Sequence, residues 1–551
     1  MSSIITKSSE VLVFIGAGAT ASLGMPTTDT QSKLLRKLIG KNCDMFNILY
    51  EYGFYNAKRR NMLVAFLEIL GGEANNGFNT ILSNDIKNAK IAFDSDDSAV
   101  EENLLKERIL ELRQRYDWKA LREVLRICPH NEKKDNLVRD AYTLLDKKIA
   151  SQQGLKIISS QNAEQTEILS YTRLIGARNM LTMLISILFA ETWQKICDGD
   201  KSEEFAKYEK FADTFSRMMQ CESAEFEKYP KEEHSFLLFS TSFVSFNFET
   251  AFLWLLYIKN RERNKEYFRL KRENHVTQWL DFGCLHKRRS VSTKPESHQS
   301  GIFGTTFDET SASRLNSCIV SNAKFARVGK FLFAHGSSAW RECPSCGRML
   351  FYQGDEWVLK SKTLNPPFPI PLYKQCVPTG AEKKWRGQFR FDSLECLACG
   401  AETTASDSPM VMQSLYKGSP TSFIEEIQRE VKVALDGARH VVLLGYSLPI
   451  DDVVWQQVFA ETIRYRMLTK RAAYCSIVVG RNGPQRWLYG AELGKCNDPA
   501  IENAIAIFGE KYVRAYTGGI PQVFGDADEN AVAELLYPKN FVNWKGTRLA
   551  E

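Results

Sequence analysis

Short runs rich in apolar residues recur along the chain, separated by longer stretches with helical spacing. The strand-like runs occupy residues 11–15, 236–246, 330–333, 440–444 and 476–479. Apolar runs of this length are typical of strands that are buried on both faces of a parallel sheet. Over residues 423–435 the apolar positions recur every three or four residues, which predicts a helix. The alternation predicts an α/β fold with a doubly wound parallel sheet.

Two insertions interrupt the strand-like runs. Residues 31–234 carry amphipathic helical patterns among many charged residues, and residues 341–400 are rich in aromatic residues, Pro, Gly and Cys. The predicted segments are a first part of the core at 1–30, a helical insertion at 31–234, a second part of the core at 235–340, a small cysteine-rich module at 341–400, and a third part of the core with a C-terminal segment at 401–551.

Charge and hydropathy argue against two classes of binding partner, nucleic acids and membranes. The net charge of +6 is spread over 551 residues without a concentrated basic face, so direct nucleic-acid binding is not expected. The apolar segment 180–190 covers roughly half of a bilayer, which favours a buried helix and no membrane partner. The N-terminus lacks a signal-peptide pattern, and most of the 13 cysteines are scattered singly. These features predict a cytoplasmic protein with reduced thiols.

A glycine-rich turn follows the first strand-like run. Its sequence is Gly16-Ala17-Gly18-Ala19-Thr20. Glycines at this place let backbone amides approach a pyrophosphate, because no β-carbon stands in the way. The spacing differs from the usual G-x-G-x-x-G, and a tight strand–helix turn without a ligand is the alternative interpretation.

The cysteine-rich module contains two pairs with metal-ligand spacing. Each pair has two intervening residues and a following glycine, and the ligand candidates are Cys343, Cys346, Cys396 and Cys399. Four thiolates can surround a tetrahedral zinc ion, and they leave no open position for catalysis. The 49 residues between the pairs exceed the usual spacing, but closing a longer loop costs only slowly more. A structural zinc-ribbon module is predicted, with redox-active pairs as the alternative.

Four segments, in order, resemble motifs of the sirtuin family. They are Gly16-Ala17-Gly18-Ala19-Thr20 with Gly24-Met25-Pro26, then Ser245-Phe246-Asn247-Phe248-Glu249, then His335-Gly336, and finally Leu444-Gly445-Tyr446-Ser447-Leu448. The cysteine module follows the histidine, where sirtuins carry a structural zinc. The resemblance implies a Rossmann-like core that binds NAD.

The resemblance also implies roles for individual residues. Asn247 and His335 would be catalytic: Asn247 would orient the ribose hydroxyls or the attacking water, and His335 would act as general base. A strand-end turn residue and a structural histidine are the respective alternatives. The implied NAD-binding residues are Gly16, Ala17, Gly18, Ala19, Thr20, Pro26, Asp29, Asn247, Glu249, Gly445 and Ser447. Glu249 replaces the family's Asp and is one methylene longer. Ser447 would bond a phosphate or ribose oxygen, unless it is a simple turn serine.

The sequence also departs from protein-deacylating sirtuins. Thr27-Thr28-Asp29 stands where those enzymes have Asp-Phe-Arg, and residues 409–416 lack their Phe-Gly-Glu strand, which clamps the acyl-lysine peptide. Without an acyl oxygen, water is the natural nucleophile. The motifs are most similar to sirtuin-like NADases of bacterial antiphage defence, which implies an NAD+ glycohydrolase, a homo-oligomer, and activation by a partner protein or a phage-derived trigger. Residues 31–234 would serve regulation or assembly, or would cover the active site.

Two other functions remain open at this point. One is a protein-modifying enzyme, either a deacylase or an ADP-ribosyltransferase, whose turnover would depend on a peptide. The other is a non-catalytic sensor that binds NAD or ADP-ribose without releasing nicotinamide.

Overall fold

The structure is a computed structural model. It describes residues 9–40, 43–71, 110–129, 136–158, 166–199, 202–225, 237–270, 277–281, 326–347, 349–351, 394–395, 399, 401–412, 414–416, 421–449, 452–480 and 483–538. The strands within these residues are β1 (Val11–Ile15), β2 (Leu155–Ile158), β3 (Thr166–Leu169), β4 (Leu237–Leu238), β5 (Thr241–Ser245), β6 (Thr277–Asp281), β7 (Ala326–Phe333), β8 (Trp340–Glu342), β9 (Met349–Phe351), β10 (Leu394–Glu395), β11 (Glu402–Thr403), β12 (His440–Leu444), β13 (Tyr474–Val478), β14 (Trp487–Tyr489) and β15 (Val513–Tyr516).

The helices are described over the same residues. They are α1 (Gly18–Ala21), α2 (Thr28–Leu38), α3 (Met45–Glu51), α4 (Ala57–Gly71), α5 (Trp118–Ile127), α6 (Leu137–Ala150), α7 (Tyr171–Asp198), α8 (Glu203–Glu225), α9 (Ala251–Leu270), α10 (Ser422–Gly437), α11 (Val453–Leu468), α12 (Pro499–Phe508), α13 (Ile520–Val523) and α14 (Glu529–Leu536).

Nine of the described strands form one mostly parallel sheet. The path runs β14-β15-β13-β12-β1-β5-β7-β4, with β6 also paired to β7, and β14 is the antiparallel strand among them. The chain moves from β1 through β5 to β7, then returns to the other side of β1 as β12 and continues to β13 and β15. The predicted α/β fold with a parallel sheet is therefore confirmed.

The hydropathy of the central strands follows from their burial. Every residue of β1, β5, β12 and β13 is buried. A strand covered on both faces has no solvent-facing side, so its residues need not alternate between apolar and polar, and β1 is apolar throughout. Strand β5 instead contains three buried polar residues, Thr241, Ser242 and Ser245.

The carboxyl ends of four strands lie side by side. Ile15 of β1 is in register with Ser245 of β5 and with Leu444 of β12, and Ser245 is in register with Phe333 of β7. The loops that follow these strands therefore leave the sheet at one edge, on both sides of the point where the strand order reverses. Open α/β sheets bind their ligands at such a place.

The chain divides into two compact units. The unit with the sheet comprises residues 1–23, 201–336 and 421–551, and the other comprises 24–200 and 337–420. Helix α8 belongs to the sheet unit, although the sequence analysis assigned it to the insertion at 31–234. Its Tyr208 hydroxyl donates to the Ala19 carbonyl, and its Thr214 Oγ1 donates to the Ala527 carbonyl at 2.7 Å. These bonds tie α8 to the sheet unit.

The second unit is mainly helical in its described part. It also contains the antiparallel hairpin β2–β3, in which buried Leu155 and Ile157 alternate with exposed residues. Helix α7 is long and apolar enough to cross a membrane by length and composition, but 78% of its apolar window is buried inside the structure. This agrees with the prediction of a buried helix over 180–190.

Candidate functional site

Two glycine turns pack directly against each other at the carboxyl edge of the sheet. A β-carbon on Gly16 would lie 2.4 Å from the Gly445 carbonyl oxygen, and one on Gly445 would lie 2.2 Å from the Ala19 nitrogen. Gly445 also has a φ of +58°, a conformation that favours glycine. The Gly18 N–H donates to the Gly445 carbonyl at 3.1 Å. The turns after β1 and β12 thus form one unit in which no side chain fits between the backbones.

The loop after β5 places Asn247 on the first glycine turn. Its Nδ2 donates to the Gly16 carbonyl at 3.0 Å, to Thr20 Oγ1 at 3.3 Å and to Glu249 Oε1 at 2.9 Å. The Ser245 hydroxyl accepts from the Asn247 N–H at 3.1 Å and sets the start of the loop. The side-chain nitrogen Nδ2 of Asn247 is therefore held by the protein. The side-chain oxygen lies on the other side of the same amide group, away from these three acceptors.

Glu249 fastens the loop after β5. Its Oε1 accepts from Thr20 Oγ1 at 2.9 Å and from Asn247, and its Oε2 accepts from the Ala251 N–H at 2.6 Å, at the start of α9. Burial raises the pKa of Glu249, against the effect of these hydrogen bonds. In the structure this carboxyl group joins three parts of the site.

His335 follows β7 and is 8% exposed. Its imidazole lies against Phe246, with ring centroids 4.8 Å apart, and near Phe248 at 6.3 Å. These two phenylalanines flank Asn247 in the chain. The structure therefore brings His335 and Asn247, which are 88 positions apart in sequence, to the same loop.

Two polar residues beside His335 were not identified from the sequence. Asp452 Oδ2 lies 3.5 Å from His335 Nε2 and accepts a hydrogen bond from the Tyr446 hydroxyl at 2.9 Å. Tyr446 stacks on Phe246 with ring centroids 4.2 Å apart. Only the pair of acidic residues after the Leu444–Leu448 motif could have drawn attention to Asp452 in the sequence.

The outer part of the glycine turns faces solvent. Ala17, Gly18 and Ser447 are exposed, whereas Ala19 and Thr20 are buried. A ligand can therefore reach the backbone of the first turn and the Ser447 hydroxyl without displacing core residues.

The loop that carries Ser447 is anchored through its backbone. Asn503 Nδ2 donates to the carbonyls of Ser447 and Leu448, and Gln456 Nε2 donates to the Leu448 carbonyl at 2.7 Å. Leu448 has a φ of +50°, which is strained for a residue with a β-carbon. The anchoring bonds hold this strained loop in place.

Two predicted NAD-binding residues belong to the other unit. Pro26 and Asp29 lie at the start of α2, where Thr27 caps the helix through Thr30. Asp29 forms an exposed ion pair with Lys33 at 2.7 Å. The motif that the sequence presents as continuous is thus shared between the two units.

Three of the four predicted metal ligands lie together. The sulfur atoms of Cys343, Cys346 and Cys399 are within 4.8 Å of one another, and Cys343 and Cys399 are 3.5 Å apart. Cys346 donates its backbone N–H to the Cys343 sulfur, and Gly347 turns the chain with a φ of +67°. This cluster can hold a metal ion. The fourth predicted ligand, Cys396, lies outside the described residues.

Comparison with known proteins gives no family for this chain. No protein-family model matches it, and no curated protein matches it.

Proposed function

We propose that this chain is an NAD+ glycohydrolase that cleaves the bond between nicotinamide and ribose. The observation that carries the proposal is that Asn247 bonds to the Gly16 turn while His335 packs on Phe246, the residue before Asn247, at one edge of the sheet. A carboxamide, an imidazole and a glycine turn are groups that can serve the hydrolysis of a dinucleotide at its ribose carbon.

The topology supports a dinucleotide as the ligand. With β4 and β6, which pair only with β7, left out, the parallel strands β7, β5, β1, β12, β13 and β15 have the order 3-2-1-4-5-6 when counted along the chain. This is the strand order of Rossmann folds, which bind dinucleotides at the reversal next to the first strand. The Gly16 and Gly445 turns lie at that reversal, so we infer that the pyrophosphate binds against them.

The proposed reaction needs two tasks from the protein. As the bond to nicotinamide breaks, its electron pair leaves with the nicotinamide nitrogen, and the ribose carbon develops positive charge. The carbonyl oxygen of Asn247 can orient the ribose hydroxyls or the incoming water. His335 can accept the proton that water loses as its oxygen bonds to the ribose carbon, which gives ADP-ribose and nicotinamide.

Hydrolysis is favoured over transfer to a protein by the sequence around the site. Thr27-Thr28-Asp29 and residues 409–416 lack the features with which deacylating sirtuins bind nicotinamide and an acyl-lysine peptide. Water then has no competing nucleophile. The resemblance to antiphage NADases further supports an effector that depletes cellular NAD, forms homo-oligomers and responds to a partner or phage-derived trigger.

Burial of the reactive groups supports regulation. Asn247 is 7% exposed and His335 is 8% exposed. We infer that the surrounding loops move when NAD reaches these side chains, so a signal that opens the loops would switch the enzyme on.

Incubation of the purified full-length protein with NAD tests the proposal. We expect nicotinamide release that is independent of an acetylated peptide and falls by about 100-fold or more in His335→Ala and in Asn247→Ala. Asn136→Ala is the matched control, because Asn136 makes no capping side-chain bond at the start of α6. Since a regulated enzyme is silent until activated, cellular NAD is also followed in expressing cells during phage infection.

The other outcomes of this experiment contradict the proposal. Turnover that requires the peptide would identify a protein-modifying enzyme. NAD binding by calorimetry without nicotinamide release, in the tube and during infection, would identify a sensor.

For the cysteine cluster we propose a structural zinc ion. Its thiolates suit zinc, and the three described sulfurs already lie at the separation of ligands around a single ion. We expect about one equivalent of zinc in the purified protein and its loss in a Cys343→Ala, Cys346→Ala double variant. Replacing Cys128, which lies outside the cluster, by Ala is the control and should leave the zinc content unchanged.

A further inference from the structure

Asp452 is the N-cap residue of helix α11, but its side chain does not form a capping hydrogen bond. An Asp before a helix ordinarily accepts a hydrogen bond from an N–H of the first turn. Among the described residues, the Asp452 side chain makes no such bond. Its backbone is nevertheless fixed, since its N–H donates to the Pro449 carbonyl at 2.9 Å and its carbonyl accepts from the Gln456 N–H at 3.0 Å.

The carboxylate of Asp452 points to the imidazole of His335. The Oδ2–Nε2 distance is 3.5 Å, and the side chains of Asp452 and His335 are 6% and 10% exposed. The hydroxyl of Tyr446 donates to the same oxygen at 2.9 Å and fixes its direction. Two opposite charges at this distance attract each other more strongly away from water than in it.

The ring nitrogen Nε2 of His335 has no hydrogen-bond partner within the part of the chain that the structure describes. A buried nitrogen without a partner is rare in proteins and carries a cost. The separation of 3.5 Å is slightly longer than a hydrogen bond. Catalytic hydrogen bonds are often long in the free enzyme and shorten when the substrate is bound.

We propose that Asp452 is the positioning residue of His335, an inference that rests on the proposed hydrolysis of NAD. Asp452 accepts a hydrogen bond from the Nε2–H, so the unprotonated nitrogen of the neutral ring is Nδ1. Nδ1 then takes the proton of the attacking water while the oxygen–carbon bond forms and the carbon–nitrogen bond to nicotinamide breaks. The resulting imidazolium is stabilised by the adjacent carboxylate.

The groups that the structure describes around His335 leave this pairing unopposed. Phe246 and Phe248 cover the ring and carry no charge. The carboxyl group of Glu249, in the same loop as the two phenylalanines, is engaged by its own neighbours. Among the described ion pairs, Asp452 is the acidic partner of His335.

Asp452→Asn tests the role in turnover because Asn retains the shape and can still accept from Tyr446. We expect kcat to fall by about 100-fold with KM for NAD changed less than about twofold. Asp528→Asn is the matched control: Asp528 starts α14 with a capping bond to Ala531, and its replacement should leave kcat unchanged.

A spectroscopic measurement separates this inference from the proposed function. Spectra of ¹⁵N-histidine protein, with the His335 signal assigned by its loss in His335→Gln, should show the Nε2–H tautomer in the wild type and a mixture in Asp452→Asn. That result, with no NAD hydrolysis in the tube or during infection, would support the pairing and overturn the proposed function. Hydrolysis with an unchanged tautomer and kcat in Asp452→Asn would overturn the positioning role alone.

Discussion

Two buried histidines lie at opposite ends of the same sheet and differ in how their ring nitrogens are satisfied. His440 begins β12, at the amino end of the strands. Its Nδ1 donates to the Leu536 carbonyl at 2.9 Å, and its Nε2 accepts from the Ser476 hydroxyl at 2.7 Å. His335 follows the carboxyl end of β7 and faces a carboxylate at 3.5 Å, and its Nε2 has no hydrogen-bond partner among the described residues.

The surroundings of His440 are a closed structural network. Arg514 donates to Ser476 at 2.7 Å and to the Glu534 carbonyl at 2.6 Å, which ties β13 and β15 to helix α14. Burial and the charge of Arg514 lower the pKa of His440 to about 3, so its ring stays neutral. The comparison indicates that a buried histidine with both ring nitrogens hydrogen-bonded stabilises the fold. A buried histidine with an unbonded ring nitrogen beside a carboxylate is a candidate for proton transfer.

The largest effect is expected from Gly445→Ala, at the carboxyl end. The new β-carbon would lie 2.2 Å from the backbone nitrogen of Ala19, at a φ of +58°. We expect the free energy of unfolding to fall by about 3–5 kcal/mol and NAD binding to be lost, because neither backbone can move without opening the paired turns. Urea denaturation and calorimetry measure the two quantities.

Gly490→Ala is the control for that change. Gly490 has a similar φ of +49°, but nothing lies within 4 Å of its added β-carbon. Its replacement should cost only about 1 kcal/mol and leave NAD binding intact. Equal costs for the two variants would show that the packing of the turns contributes nothing beyond backbone conformation.

At the amino end, a change of one pH unit is expected to have a smaller effect on the free energy of unfolding. Because the pKa of His440 is lowered from 6.5 to about 3 on folding, protons bind the unfolded chain first. The contribution of the neutral His440 ring to the free energy of unfolding is therefore fully present above pH 6.5. It is lost as the pH falls towards 3, by about 1.4 kcal/mol per pH unit. The difference between wild type and His440→Gln in urea unfolding at several pH values measures this contribution.

Ser476→Ala sharpens that measurement. It removes a partner of His440 but keeps the buried imidazole, so the dependence on pH should remain while stability falls by about 1 kcal/mol. A wild-type slope that persists in His440→Gln would assign the pH dependence to other groups. Neither variant should alter NAD turnover, since both residues lie at the end of the sheet opposite His335.

Much of the sheet could be predicted from hydropathy because its central strands are buried on both faces. The predicted runs 11–15 and 440–444 coincide with β1 and β12, and 476–479 overlaps β13. Strand β15 was missed because Arg514 interrupts its apolar run, although the guanidinium is 1% exposed and paired. The hairpin β2–β3 was missed inside a segment predicted to be helical. Charge and short length hid these strands.

The candidate site could be predicted only where a motif marked it. Asn247 and His335 were identified by resemblance, and the structure places them on one loop cluster. Asp452 was missed because its approach to His335 depends on β12 returning beside β1, which no local pattern contains. Glu249 was predicted to bind NAD, which stays a prediction, and its hydrogen bonds to Thr20 and Ala251 show that it also stabilises the fold.

The interleaving of the sheet has a consequence for synthesis. Strand β1 is made first, but its neighbour β12 leaves the ribosome only after residue 444 has been added. Until then the first glycine turn has no second turn to close against, and His335 has no Asp452. If the protein consumes NAD as proposed, a cell that makes it is protected from chains that end before Asp452, since such products lack a complete site.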